Sequence, residues 1–338
     1  MPFTLLDTDT NFKNQLNDWG RQGIPFIFIV DYAKTKPQAW KISDIDPGQI
    51  AYNFNGFTNQ ITNKERHISG DFSFTKEPIS FEKYRKRFQI VLNHLKAGNS
   101  FLVNLSVPTP IHTNLGLDEI FQRASAPYRL RFRDEWVCFS PEIFITISGK
   151  DIASFPMKGT IDASLTDAAR TILNDPKEAA EHATIVDLIR NDLSMVCEQV
   201  WVERYRYLER IHTHQKTLLQ VSSKIRGTLS ASYLDRLGDL LWELLPAGSI
   251  TGAPKPRTLD IIAEAEAYDR GYYTGIMGYF DGQRMESAVM IRFIEKQDSG
   301  MIFKSGGGIT ARSTAENEYQ EIIDKVYLPF QNHESNPS

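Results

Sequence analysis

The strand-like and helix-like stretches of this chain do not alternate one for one. Strand-like runs at 101–107, 128–133, 136–139, 143–148 and 152–155 follow one another, the last two joined by the hairpin turn Gly149-Lys150-Asp151. Another hairpin is marked by Asp281-Gly282, with a further strand at 301–304. A doubly wound parallel sheet needs a crossover, usually a helix, between successive strands. This pattern therefore predicts the α+β class. Upstream, 24–30 (IPFIFIV) and 50–57 (IAYNFNGF) also read as strands, and the polar stretch 58–79 reads as a linker. The expected division is a strand-rich N-terminal part, 1–79, packed on a core of 80–330, with a tail at 331–338.

Helices fall between these groups. Phe81, Tyr84, Phe88, Val91, Leu92 and Leu95 recur at helical spacing over 80–96, and Gly98 ends the run. Over 175–199, Asp175 is a cap, Pro176 suits the first position and Glu178 completes a capping box. Its apolar stripe is His182, Val186, Ile189, Leu193 and Val196. Further helices are expected over 231–245, from Pro254 through Ala267, and after Ser313, with Glu316 as the capping partner. The last would pack Tyr319, Ile322, Ile323 and Val326.

Composition narrows the function. Of 338 residues, 38 are Lys or Arg and 42 Asp or Glu, a net charge of −4 without a basic block, which argues against nucleic-acid binding. No apolar run reaches the roughly 18 residues of a membrane span. The N-terminus has no signal-peptide pattern, and Cys138 and Cys197 read as free thiols in a reducing compartment, so a cytoplasmic protein is expected.

Glu318 and Glu321 share one helix face, with Lys325 four residues on, and Glu181 lies in the first turns of the 175–199 helix. Three carboxylates on two helices could hold Mg²⁺, a hard cation that takes oxygen ligands. An ordinary Glu321–Lys325 ion pair on a solvated face is the commoner outcome. Ser305-Gly306-Gly307-Gly308 could bring backbone N–H groups close to an anion, and Pro246 to Lys255 forms a second glycine-bearing turn leading into a helix. Plain turns explain both as well. Lys158, in PMKGT, would be a nucleophile if neighbouring cations or burial favoured its neutral amine. Glu142, in SPE, would be a general acid if buried. His212 and His214 lack a third ligand at metal-site spacing.

In order, GNSFLVNLS (98–106), SPE (140–142), PMKGT (156–160), DPKEAAEHATIVDLIRNDL (175–193), PAGSITGAPK (246–255), YYTGIMGY (272–279), AVMIR (288–292), SGGGIT (305–310) and ENEYQE (316–321) resemble the chorismate-utilising enzymes. These include the large subunits of anthranilate and aminodeoxychorismate synthases and the isochorismate and salicylate synthases. The resemblance covers roughly 80–330. It implies two large antiparallel sheets packed as a sandwich with helices outside, and a Mg²⁺-dependent reaction of chorismate. Glu181, Glu318 and Glu321 would hold the metal. Arg292, Tyr273 and the N–H groups of Gly307 and Gly308 would hold the enolpyruvyl carboxylate, with Lys325 nearby. Gly159, Thr160 and Ser249 would line the pocket, and Glu142 would protonate the departing C4 hydroxyl.

Lysine at 158, where anthranilate synthases typically carry alanine, implies the aminodeoxychorismate-forming branch. There the lysine adds at C2, and ammonia then gives 4-amino-4-deoxychorismate on the route to p-aminobenzoate and folate. An anthranilate-forming large subunit and a silent chorismate-binding paralogue are the alternatives. Two positions depart from the family. Leu102 stands where amine-using members carry glutamine and water-using members lysine, and Gln220 stands where histidine is usual. Neither cysteine lies in a Gly-x-Cys-x-Gly elbow, so ammonia is expected from a glutamine amidotransferase subunit.

Overall fold

The computed structural model describes residues 5–60, 72–212 and 217–330. Within them two nine-stranded antiparallel sheets pack face to face. The first sheet runs Met157–Asp162, Thr217–Thr228, Asp151–Ser154, Ile143–Ser148, Arg284–Val289, Ile276–Phe280, Phe26–Val30 and Gln38–Lys41, and Gln199–His212 also pairs with Thr217–Thr228. The second runs Gly252–Ala253, Leu102–Thr113, Gly300–Ile309, Phe293–Gln297, Trp136–Ser140, Tyr128–Phe132, Ile50–Phe54 and Phe57–Thr58, and Phe74–Lys76 pairs with Leu102–Thr113.

Alternation along the strands divides the core. Ile27, Ile29, Met277 and Ala288 of the first sheet meet Tyr52, Leu130, Trp136 and Phe293 of the second. Phe26, Phe28 and Val30 face the other way, toward helices Leu5–Gln22, Pro176–Ser194 and Leu237–Leu244. With both faces covered, Phe26–Val30 is buried throughout, which is why its sequence is continuously apolar. On the outside of the second sheet, Val103, Leu105, Val107 and Ile309 pack under helices Phe81–Lys96, Lys255–Glu266 and Ala315–Asp324. The sandwich with outer helices is the architecture the resemblance implied.

Several boundaries differ from expectation. Leu5–Gln22 is a helix where only strands were expected nearby; Phe12, Leu16 and Trp19, at i, i+4 and i+7, fold it onto Tyr233, Leu237 and Leu240. The N-terminal strands join both sheets, Phe26–Val30 on Ile276–Phe280 and Ile50–Phe54 on Tyr128–Phe132. Asp175 does cap Pro176–Ser194, accepting the Glu178 N–H at 3.0 Å, but the helix stops at Ser194 and a strand begins at Gln199. The 231–245 segment opens as a 3₁₀ turn, Tyr233–Arg236, before Leu237–Leu244. Ser313 does not cap the last helix. Its Oγ accepts from the Thr310 N–H at 3.1 Å, and the helix starts at Ala315 after Thr314. The 301–304 strand extends over Gly300–Ile309 and absorbs the three glycines. Half of the 58–79 linker (61–71), the tail 331–338 and His214 lie outside the described residues. Cys138 and Cys197 are free, and no described helix is long and apolar enough to cross a membrane.

Candidate active site

The two sheets flank a partly open cavity of about 320 Å³, within the size range of small-molecule sites. Each sheet supplies one wall. From the first come Glu142, at the break before Ile143–Ser148, and Lys158, Gly159, Thr160 and Gln220. From the second come Asn104 and the run Lys304 to Gly308. Ser249 and Ile250 on the short helix Gly248–Thr251, Tyr273 and Thr274 in a turn, and Glu321 and Lys325 at the end of the last helix also line it. Ile291 and Arg292 line it from the segment that crosses between the sheets, after Arg284–Val289 and before Phe293–Gln297.

Lys158 owes its direction to a bulge. Pairing of Met157–Asp162 with Thr217–Thr228 shifts register between Lys158 and Thr160, and Gly159 takes φ +76°, a conformation that suits glycine. A Cβ on Gly159 would also stand 2.7 Å from Glu178 Oε2, so another side chain there would have to push that carboxylate aside. The lysine amine reaches the opposite wall: its Nζ lies 2.8 Å from where a Cβ on Gly308 would be. Leu102 Cδ1 lies 3.1 Å from the same point, which puts the departing Leu102 beside the amine. Gly308→Ala is therefore expected to displace the Lys158 amine and cut turnover at least about tenfold, with the unfolding midpoint nearly unchanged. Steady-state kinetics beside a thermal unfolding curve checks this.

The glycine strand has one open edge. Phe293–Gln297 flanks it only as far as Lys304, while Leu102–Thr113 pairs along the other side. Lys325 Nζ donates to Gly306 O at 2.8 Å, which fixes the phase. Gly306 and Gly308 turn their N–H and C=O groups to the open edge, whereas Gly307, expected to offer its N–H to an anion, turns toward Leu105, so the edge donor beside Gly308 is Gly306. Bare backbone here also removes the side chains that would otherwise fill the cavity.

Two of the three glutamates lie beside Gly307, and the third binds Thr310, just past the end of this strand. Glu321 Oε1 and Glu318 Oε2 lie 3.4 and 3.5 Å from where a Cβ on Gly307 would be, and Glu181 Oε1 accepts from Thr310 Oγ1 at 3.4 Å. Glu321 also binds Lys325, so the expected ion pair is present as well. Among the described residues, no three His, Cys, Asp or Glu side chains form a ready metal cage.

Electrostatics separates the cavity's groups. Burial pushes the Glu142 carboxyl above its ordinary range, opposed by a hydrogen bond from Ser249 and by the charges of Lys158 and Lys325. Burial lowers Lys325, and Arg292 and Lys158 add to the shift while Glu321 opposes it. Arg292 adopts φ +54°, donates to Lys325 O at 2.9 Å and stacks over Tyr327. Tyr273 is buried and its hydroxyl is held protonated by that burial. Burial, with Arg206 and Lys158 nearby, lowers His182 to about 4, so it is neutral against Ser223.

The cavity thus collects Lys158, Glu142, Gly159, Thr160, Ser249, Tyr273, Arg292, Gly307, Gly308, Lys325 and Glu321; Glu318 and Glu181 are not among its lining residues, Glu318 lying beside Gly307 and Glu181 on Thr310. Asn104, Thr274 and Lys304 also line it and were not singled out from the sequence. Asn104 lay within a quoted motif, and its pairing with Gly308 is the signal that only the register supplies.

A family model described as chorismate binding enzyme matches residues 29–330. A Haemophilus influenzae protein named as an uncharacterized PabA-like protein is 47% identical over 96% of this chain and 98% of its own length. An anthranilate synthase component 1 of Haloarcula marismortui is 32% identical over 84% of this chain and 62% of its own. An aminodeoxychorismate synthase component 1 of Klebsiella aerogenes is 32% identical over 77% of this chain and 60% of its own. The structure of the Escherichia coli menaquinone-specific isochorismate synthase superposes with a TM-score of 0.71 at 18% identity, covering 96% of this chain and 82% of that one.

Proposed function

The chain belongs to the chorismate-binding enzyme family, and we propose that it aminates chorismate to 4-amino-4-deoxychorismate through a covalent bond to Lys158. The observation that carries this reading is the Lys158 amine, aimed by the Gly159 bulge across a cavity it shares with Glu142 and Arg292.

Lys158 forms a bond to ring C2 as the C4–O bond breaks, and Glu142 gives its proton to the departing hydroxyl, which leaves as water. The Glu142 carboxylate then takes the proton that the lysine nitrogen sheds. Ammonia next forms the C4–N bond as the C2–N bond breaks; Glu142 returns its proton to the lysine nitrogen, so that Lys158 leaves as the free amine, and takes up the proton that the new C4 ammonium sheds. Arg292 and the open-edge N–H groups of Gly306 and Gly308 suit the enolpyruvyl carboxylate, since charge-assisted and oriented donors stabilise an anion in a low-dielectric site. Glu181, Glu318 and Glu321 would hold Mg²⁺: their oxygen donors suit a hard cation, Glu318 and Glu321 lie together beside Gly307, and Glu181 binds Thr310 farther along the same chain segment. When bound, Mg²⁺ would neutralise the ring carboxylate beside these glutamates.

Ammonia would come from a glutamine amidotransferase partner. Burial holds the Cys138 thiol protonated and pushes Cys197 up to about 12, so neither suits glutamine hydrolysis. Incubation with chorismate, Mg²⁺ and ammonium, followed by product mass analysis, is expected to show an amino product that keeps the enolpyruvyl group. Release of pyruvate with an aromatic amine would overturn the reading in favour of anthranilate formation. Chelation with EDTA is expected to abolish turnover, and added Mg²⁺ to restore it.

A further inference from the structure

One buried ion pair ties three walls of the cavity together while standing outside it. Arg270 and Glu266 are 2% and 1% exposed, and Arg270 Nε donates to Glu266 Oε2 at 2.8 Å. The other guanidinium donors go to cavity walls as well as to Glu266. Nη2 donates to Asn104 O at 2.8 Å, and Nη1 donates to Ile250 O at 3.1 Å and to Thr274 Oγ1 at 3.2 Å. Asn104, Ile250 and Thr274 belong to a sheet strand, a short helix and a turn, and all three line the cavity. Glu266 Oε1 anchors the pair by accepting from the backbone N–H and hydroxyl of Ser106 at 2.7 and 2.8 Å. A buried ion pair is a poor way to stabilise a core, because desolvation offsets much of the attraction. A planar fork of donors is well suited to fixing several segments at once.

We propose that Arg270, held by Glu266, is a positioning residue that sets the spacing of these walls and thereby the affinity for chorismate. Lys158 lies on the first sheet and Glu142 at the break before Ile143–Ser148, and neither shares a hydrogen bond or ion pair with Arg270, so the chemical step depends on it less. The proposal takes only its ligand from the family; the amination reading is not needed for the test.

In Arg270→Lys the charge stays but the three-way fork is lost. The chorismate KM and the equilibrium Kd measured by calorimetry are expected to rise together, on the order of 30-fold, with kcat within about threefold. Glu266→Gln, which keeps the side-chain shape, is expected to give a smaller rise in both. A lowered thermal midpoint with unchanged KM and Kd in the folded variants would overturn the proposal, as would an equal fall in kcat. Should Arg270→Lys not fold, Glu266→Gln decides on the same two constants. A wild-type enzyme that binds chorismate but makes another product overturns the amination reading and leaves this test intact.

Discussion

Lys158→Ala is expected to lower ammonia-dependent turnover of chorismate by about 10³-fold or more, while chorismate binding changes only several-fold. The proposed route uses this amine to form and break a covalent bond, and no other lysine in the cavity is placed to replace it. Lys325 donates to Gly306 O and pairs with Glu321, and Lys304 donates to Arg270 O and pairs with Glu295. Binding should survive because Arg292, on the crossing segment, and the glycine edge, on the far wall, are untouched. Lysine also contributes charge and packing, so Lys158→Met is the control for shape. It should be as inactive as alanine while keeping the unfolding midpoint of the wild type. Turnover near the wild-type level in either variant would remove the covalent role.

Glu142→Gln is expected to cost about 10²–10³ in kcat, the usual worth of a positioned general acid. It should also remove one limb of the pH profile. The acid acts in its protonated form, and burial raises its folded-state affinity for the proton. Wild-type activity should therefore persist above the pH at which an ordinary glutamate is fully ionised, then fall as pH rises through the elevated value. Ser249 stabilises the charged form by its hydrogen bond. Ser249→Ala should move that falling limb to higher pH, whereas a simple loss of packing would lower the rate at all pH values alike. Two charges, Lys158 and Lys325, also face Glu142 and hold its affinity down. Lys325→Met should therefore move the limb in the same direction as Ser249→Ala.

Much of the architecture was legible because burial writes period and punctuation into the chain. The doubly covered Phe26–Val30 and the capped Pro176–Ser194 read directly. Where side chains carry no signal, reading stopped short. Gly306 to Gly308 continue the last strand, but glycine has no apolar alternation to follow. The helix Leu5–Gln22 spends only a narrow stripe on the core, and its many polar residues mask Phe12, Leu16 and Trp19. Ser313 has the right spacing for a cap, yet its hydroxyl turns to the Thr310 N–H instead.

The site shows the same division. Residue types and motif order were enough to name Lys158, Glu142 and the glycines, but their meeting across the sandwich depends on a bulge and on a strand register. Glu266 and Arg270 look like a routine i, i+4 pair in the sequence. Only burial and the carbonyl partners of the guanidinium distinguish them.

The covalent bond can be sought without turnover. Incubation of the protein with chorismate and Mg²⁺, ammonia withheld, followed by acid quench and intact-mass measurement, should show a mass gain of chorismate less one water. Peptide mapping should locate it on Lys158, and added ammonium should discharge it. Full amination activity with an unmodified protein at every time point, or an adduct on another lysine, would contradict the account.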